Sequence, residues 1–378
     1  MKKIIVISDS FKGSLSSAEI CKIARQSIPR ILPGCELITI PVADGGEGTV
    51  DCFVCAAGAS PVAVDVTGPY GEPVRAVYAR TGNKAIIEMA CAAGLTLTER
   101  RDPELSTTLG VGEMIRHAIE NGCEEILLGL GGSGTNDCGC GCAAALGVKF
   151  YSSEGSEFVP LGKYLGSVAQ IDISAAQELL KSVKLTVMCD VDNPLCGPSG
   201  AAYVFAPQKG ADESMVRRLD TGLRNISGVV QRELGLSVVD MPGAGAAGGM
   251  GAGCVAFLRA ELKSGIESIL DLVDFDRHLT NTGLVITGEG RIDAQSVRGK
   301  VISGIAKRTA ARGVPLIAIA GGIDDSADEV YALGVTAMFG IDRGAEAFEA
   351  CAYKAAEDYR RTLEDVLRLI KRLTHNSW

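Results

Sequence analysis

The sequence predicts an α/β fold built on a parallel sheet, with one domain assembled from two separated chain segments and a second, mixed α/β domain inserted between them. Three observations carry this expectation. Short β-branched apolar runs alternate with amphipathic helices at both ends of the chain, which is the rhythm of β-α-β units. The middle of the chain breaks that rhythm with alternating strands joined by tight turns, a meander rather than a crossover. A length of 378 residues exceeds what one ordinary core organises, so two domains are expected.

The elements follow in order. The run 3-KIIVI-7 is apolar without alternation, as a parallel strand covered on both faces requires. Ser16 and Glu19 have capping-box spacing, and Ile20, Ile23, Ala24 and Ile28 fall on one face of the helix they open. Pro33-Gly34 ends that helix, and 36-ELITIPV-42 supplies the next strand. After the polar loop 43-ADGGEGT-49 a further helix is expected up to about Gly58. The stretches 61-PVAVDVTGPYGEPVRAVYA-79 and 84-KAIIEMA-90 form the meander. Helices are expected over 111–121 and 138–146, flanking the strand 125-EILLGL-130. The strand 184-KLTVMCDV-191 precedes a long helix over 213–234, where Met215, Val216, Leu219, Leu223, Ile226, Val230 and Leu234 make an apolar stripe. The glycine-rich 242-PGAGAAGGMGAG-253 reads either as a linker or as backbone approached by a ligand. The β-α-β rhythm then returns with 283-GLVITG-288, a helix over 299–312, 314-VPLIAIAG-321, 335-VTAMFGI-341 and a long terminal helix. One domain is therefore expected to comprise 1–60 plus 255–378, and the inserted one 61–254.

A net charge of −9 and a pI near 5.1 argue against nucleic acid as the main partner. MKKIIVISDS turns polar too soon for a secretory signal, and no apolar run reaches the length of a membrane span. The expected location is cytoplasmic, with no membrane partner; the oligomeric state, homo-oligomer included, is left open. Thirteen irregularly spaced cysteines, an odd number, fit reduced thiols better than a disulfide framework. Cys138, Cys140 and Cys142 cannot all converge on one metal from a helix start, so they are expected to be small buried hydrophobes.

Loops that follow buried parallel strands emerge at the carboxyl edge of a sheet, where α/β proteins bind ligands. Here such loops are polar and glycine-rich: 8-SDSFKG-13, 43-ADGGEGT-49, 131-GGSGTND-137, 189-CDVDNPLCGPSG-200 and 287-TGEGRID-293. One would mean little; so many in one chain point to an active-site cluster. Gly131, Gly132, Ser133, Gly134, Thr135 and Asn136 have the makings of an anion cradle, with successive backbone N–H groups, hydroxyls and a following helix. The plainer reading of that stretch is a strand-to-helix turn with Thr135, Asn136 or Asp137 as N-cap. No G-x4-GK[ST] motif occurs, no G-x-G-x-x-G follows the first strand, and protein-kinase signatures are missing. The strand-end carboxylates Asp44, Glu47, Asp190, Asp192, Glu289 and Asp293 suit Mg²⁺ ligation and proton acceptance in phosphoryl transfer. Lys12, Arg291, Lys300 and Lys209 are the cations placed to meet phosphate or carboxylate.

These loops, together with 9-DSFKGSLSS-17, 67-TGPYGEP-73, 107-TTLGVGE-113, 189-CDVDNPLCGPSGAAYVFAPQKGA-211, 242-PGAGAAGGMGAG-253 and 286-ITGEGRIDAQSVRGK-300, resemble the bacterial glycerate kinase family over nearly the whole chain. The resemblance implies a two-domain α/β kinase that phosphorylates D-glycerate with ATP and Mg²⁺. It also implies a non-P-loop nucleotide site in a cleft between a Rossmann-like domain and the inserted one, and 2-phosphoglycerate rather than 3-phosphoglycerate as product. The chain departs from the family in Gly134, where Ala is common, and in Cys138 and Cys140, where Gly or Ala is common. The role assignments are read from the residues. Gly131 to Asn136 and Lys300 would hold ATP phosphates, and Asp44, Glu47, Asp192 and Glu289 the Mg²⁺. Asp190 is the candidate general base, and Lys12 would neutralise the transferring phosphoryl group. Asp9, Ser10, Arg291 and Asp293 would bind glycerate, with Arg291 clamping its carboxylate. The alternatives are a hydroxy-acid dehydrogenase and a non-catalytic metabolite-binding protein on a kinase scaffold.

Overall fold

The computed structural model describes residues 3–11, 13–42, 50, 54, 58–293, 296, 301–342 and 352–375. It divides into two compact units, one of Met1–Asp44, Asp51–Gly58 and Ile266–Trp378, the other of Gly45–Val50 and Ala59–Gly265. Each is described by itself.

The chain opens the first unit with β1 (Lys3–Ser8), α1 (Ser17–Ile31) and β2 (Glu36–Pro41). The capping box forms as the spacing predicts: Glu19 N donates to Ser16 Oγ at 3.2 Å and Ser16 N to a Glu19 carboxylate oxygen at 2.9 Å. Helix α1 runs through Pro29 in its last turn, where a missing N–H is tolerated only with local adjustment, and ends just before Pro33. The helix expected before Gly58 lies, apart from Val50 and Val54, outside the described residues.

The second unit begins with β3 (Ser60–Thr67), β4 (Pro73–Thr81) and β5 (Lys84–Glu88), the antiparallel meander. It continues with α2 (Leu109–Glu120), β6 (Glu125–Gly129) and α3 (Cys140–Ala145). A small antiparallel sheet of β7 (Lys149–Tyr151), β8 (Glu157–Phe158) and β9 (Gln170–Asp172) follows. These strands have no counterpart in the expectations from sequence, because two or three residues carry no readable period. Next come β10 (Lys184–Met188), α4 (Glu213–Leu234), α5 (Ala246–Leu258) and β11 (Glu261–Lys263). The main sheet has the order β11-β10-β6-β5-β4-β3, parallel from β11 to β5 and antiparallel beyond. Helix α4 starts at Asp212, whose carboxylate accepts Met215 N at 2.8 Å, and it buries Val216, Leu219, Leu223, Ile226 and Val230.

The glycine-rich segment corrects the reading from sequence. It is neither a linker nor a surface met by a ligand, but the start of a buried helix. Ala247, Gly248 and Gly249 take left-handed φ values of 53°, 70° and 91°, after which the chain turns regularly to Leu258. A Cβ on Gly253 would stand 2.0 Å from Cys138 O, so the partner at this close approach is protein backbone.

The chain then returns to the first unit with α6 (Gly265–Leu272), β12 (Leu284–Thr287), β13 (Arg291–Ile292) and α7 (Val301–Ala311). It closes with β14 (Leu316–Ala320), β15 (Gly322–Ile323), β16 (Val335–Gly340) and α8 (Ala355–His375). The main sheet, β16-β14-β12-β1-β2, is parallel throughout. One face is covered by α1 and α8, which bring Ile20, Ala24, Ile28, Tyr359, Leu363 and Leu367 against Ile4, Val6, Ile286 and Ile319. The fold class is thus a discontinuous α/β parallel-sheet domain with an inserted mixed α/β domain.

Gly228 gives a simple test of helix α4. It is exposed in the helix interior, and a Cβ there would meet nothing within 4 Å. Gly228→Ala is expected to stabilise the second unit by about 0.5–1 kcal/mol, raising its thermal midpoint by about 1–4 °C in a melting experiment. A fall in the midpoint would contradict the placement of this face.

Candidate functional site

In the first unit the strand order reverses direction of travel between β1 and β12, and the loops leaving those strands diverge there. That is the switch point at which open parallel sheets form a crevice. A cleft of about 780 Å³ lies at this edge and is lined by Asp9, Ser10, Glu289, Arg291 and Asp293, among others. The structure therefore brings together five of the residues singled out from sequence. Asp9 is held at its backbone by Gly288, whose O accepts Asp9 N at 2.9 Å, and its carboxylate accepts Ser10 N at 2.7 Å. Glu289 is buried and accepts the Ser296 hydroxyl. Asp293 closes the next turn, its N–H donating to Ser296 Oγ at 3.1 Å.

Arg291 is exposed, and its Nη2 donates to Asp324 Oδ2 at 2.8 Å. The guanidinium, with the Ser326 N–H and hydroxyl, holds the Asp324 carboxyl down at about 2. A clamp on a substrate carboxylate would have to share or exchange that partner. The cleft is acidic, since Asp325, Asp342 and Asp358 also line it. Lys12, Asp44, Glu47 and Lys300 lie outside the described residues.

In the second unit β6 and β10 are parallel neighbours, so the loops after them leave the same sheet edge. The loop 131–136 is pinned against 93–95: Gly134 N donates to Ala93 O at 2.8 Å and Leu95 N to Gly132 O at 2.9 Å. The Gly134 amide is thus engaged by protein and does not join an anion cradle. Gly132 takes a φ of 72°, a conformation glycine adopts without strain.

Asp137 ends the loop fully buried, but it is not the N-cap that the plainer reading expects: that position of α3 is taken by Gly139, which has no side chain to cap with. Its carboxylate accepts Thr108 N and Thr108 Oγ1, both at 2.8 Å, Gly139 N at 3.1 Å and Gly141 N at 3.3 Å. Burial raises its pKa against those donors. Thr135 Oγ1 and both polar atoms of the Asn136 side chain are buried with no hydrogen-bond partner among the described residues. Lys209 reaches the loop from within, and reasoning from sequence had placed it only among the available cations. No pattern marks it; its burial does.

On the neighbouring strand end, Asp190 is exposed and its Oδ1 accepts Ser264 Oγ at 2.9 Å and Gly265 N at 2.8 Å, anchoring the entry to α6. Asp192 is exposed. Cys138, Cys140 and Cys142 are buried, and burial pushes their thiols well above the ordinary range. Among the described residues no three His, Cys, Asp or Glu side chains are grouped to hold a metal ion, and the described cysteines are free thiols.

The parallel sheets and their polar carboxyl edges define a two-unit α/β protein of the non-P-loop kind. The model of the glycerate kinase family matches residues 4–371, and the chain belongs to that family. It is 44% identical to the glycerate kinase of Bacillus subtilis over 98% of both chains. It is likewise 44% identical to the glycerate 2-kinase of Escherichia coli over 90% of both. Among solved structures, a Salmonella typhimurium LT2 protein assigned as glycerate kinase 2 superimposes with a TM-score of 0.88 at 40% identity, covering 99% of each chain. Among the described residues no helix is long and apolar enough to cross a membrane.

Proposed function

We propose that this chain is a cytoplasmic kinase that transfers the γ-phosphoryl group of ATP to D-glycerate in a Mg²⁺-dependent reaction giving 2-phosphoglycerate. The observation that carries this reading is 44% identity to a glycerate kinase along 98% of both chains. The Escherichia coli relative, a glycerate 2-kinase, supports the 2-position.

The donor chemistry fits the metal. Of the candidate ligands, Glu289 lines the cleft and offers hard carboxylate oxygens there. Mg²⁺ commonly takes one or two carboxylates and fills its octahedron with phosphate and water, so a cage of three side chains is not required. When bound, the ion neutralises charge on the phosphate oxygens. On this reading Glu289 and Asp192, with Asp44 and Glu47, are its candidate ligands. Asp9, Ser10, Arg291 and Asp293 orient glycerate, and the loop 131–136 receives phosphate through groups other than the Gly134 N–H. Asp190 accepts the hydroxyl proton, and Lys12 and Lys300 supply positive charge.

Coupled assay of ADP release is expected to show turnover that needs both D-glycerate and Mg²⁺, with the phosphorus on the 2-oxygen by ³¹P NMR. Absence of glycerate-dependent ADP release would overturn the assignment, and a 3-phosphoglycerate resonance would overturn the regiochemistry alone.

A further inference from the structure

Lys209 ends a single turn of helix at Pro207–Lys209 and is 1% exposed. Its Nζ donates to Ser133 Oγ at 2.8 Å and to Thr135 O at 2.7 Å. An ammonium has three N–H donors, and among the described residues these are the acceptors that meet it. Asp137 acts on it electrostatically but contributes no contact, its carboxylate being engaged by Thr108, Gly139 and Gly141. Burial pushes the amine down to about 7, with Asp137 opposing.

A tether between Ser133 and Thr135 could be made by a neutral side chain at far smaller desolvation cost. A buried amine with no touching counter-ion makes sense beneath a loop that receives an anion, because the anion's arrival favours its protonated form. The buried, unpartnered Thr135 Oγ1 and Asn136 amide add polar capacity in the same stretch.

We propose that Lys209 is a positioning residue for the nucleotide. It holds Ser133 and Thr135 in the geometry that takes up phosphate and places positive charge directly behind the loop. This rests on the reading of 131–136 as the phosphate-binding loop.

The test is Lys209→Met in the full chain, with folding followed by circular dichroism. Kinetics would be measured for each substrate, and ATP affinity by calorimetry, which needs no turnover. Loss of a charged hydrogen-bonding group is expected to raise KM and Kd for ATP by about tenfold or more. KM for D-glycerate should stay within about threefold. A folded Lys209→Met protein with unchanged ATP affinity, or with both KM values raised alike, would overturn the proposal. Should Lys209→Met not fold, Ser133→Ala serves instead. It removes one acceptor and is expected to weaken ATP binding by about three- to tenfold, and unchanged affinity there counts equally against the proposal. Gly131→Asp probes the loop independently by setting a carboxylate where phosphate would lie. If it leaves ATP affinity intact, the phosphate reading of the loop fails. If it weakens ATP binding while Lys209→Met does not, only the role of Lys209 fails.

Discussion

Asp190→Asn is expected to lower kcat by about 10²- to 10⁴-fold, the range for loss of a positioned general base, while KM for both substrates changes little. The substitution separates chemistry from architecture. Oδ1 of Asp190 accepts Ser264 Oγ and Gly265 N, and an asparagine Oδ1 accepts from the same two donors. The turn into α6 therefore persists, and circular dichroism and the melting midpoint should match the parent chain. The negative charge and the capacity to take a proton are removed. A variant with parental kcat would reduce Asp190 to the anchor of that turn and assign proton acceptance elsewhere.

The second large effect is on stability. Gly253→Ala drives a methyl group to 2.0 Å from Cys138 O. The obstacle is a main-chain carbonyl at the head of α3, where Cys138 itself holds a left-handed φ of 55° and its N–H is tied to Gly248 O at 3.1 Å. No side chain can swing aside, so α5 or the 135–138 backbone must move. The expected loss is about 3 kcal/mol or more. For a unit of this size that lowers the midpoint by about 6–12 °C. A melting curve within about 1 °C of the parent would show that α5 does not pack as described. Gly228→Ala, expected to move the midpoint the other way, controls for the general effect of alanine in a helix.

Much of this architecture was legible because its local signals agree with the tertiary outcome. The capping box at Ser16 and Glu19, the buried run of β1 and the apolar stripe of α4 each form where the pattern put them. The 242–253 segment was misread because glycine is equally the residue of linkers, ligand loops and close-packed backbone, and composition alone does not distinguish them.

The candidate site divides along the same line. Asp9, Ser10, Glu289, Arg291 and Asp293 could be grouped from sequence because strand-end loops share one sheet edge. The Arg291–Asp324 pair could not, since Asp324 follows a different strand. Nor could the depth of Lys209, which depends on how the 207–209 turn folds under a loop far away in sequence.

The discontinuity of the first unit also has a consequence for how the protein is made. Ile4 pairs with Leu284, and α1 packs on α8 at the very end of the chain. At about 5–20 residues per second on the ribosome, β1 waits about 14–55 s before β12 has been translated. Two strands and one helix do not persist alone over that interval. The stretch from Ala59 to Gly265 is continuous, so its sheet can close while the polypeptide is still nascent. β1 and β2, although translated before that stretch, are then built into a sheet after it, and truncation before α8 leaves them without a finished core.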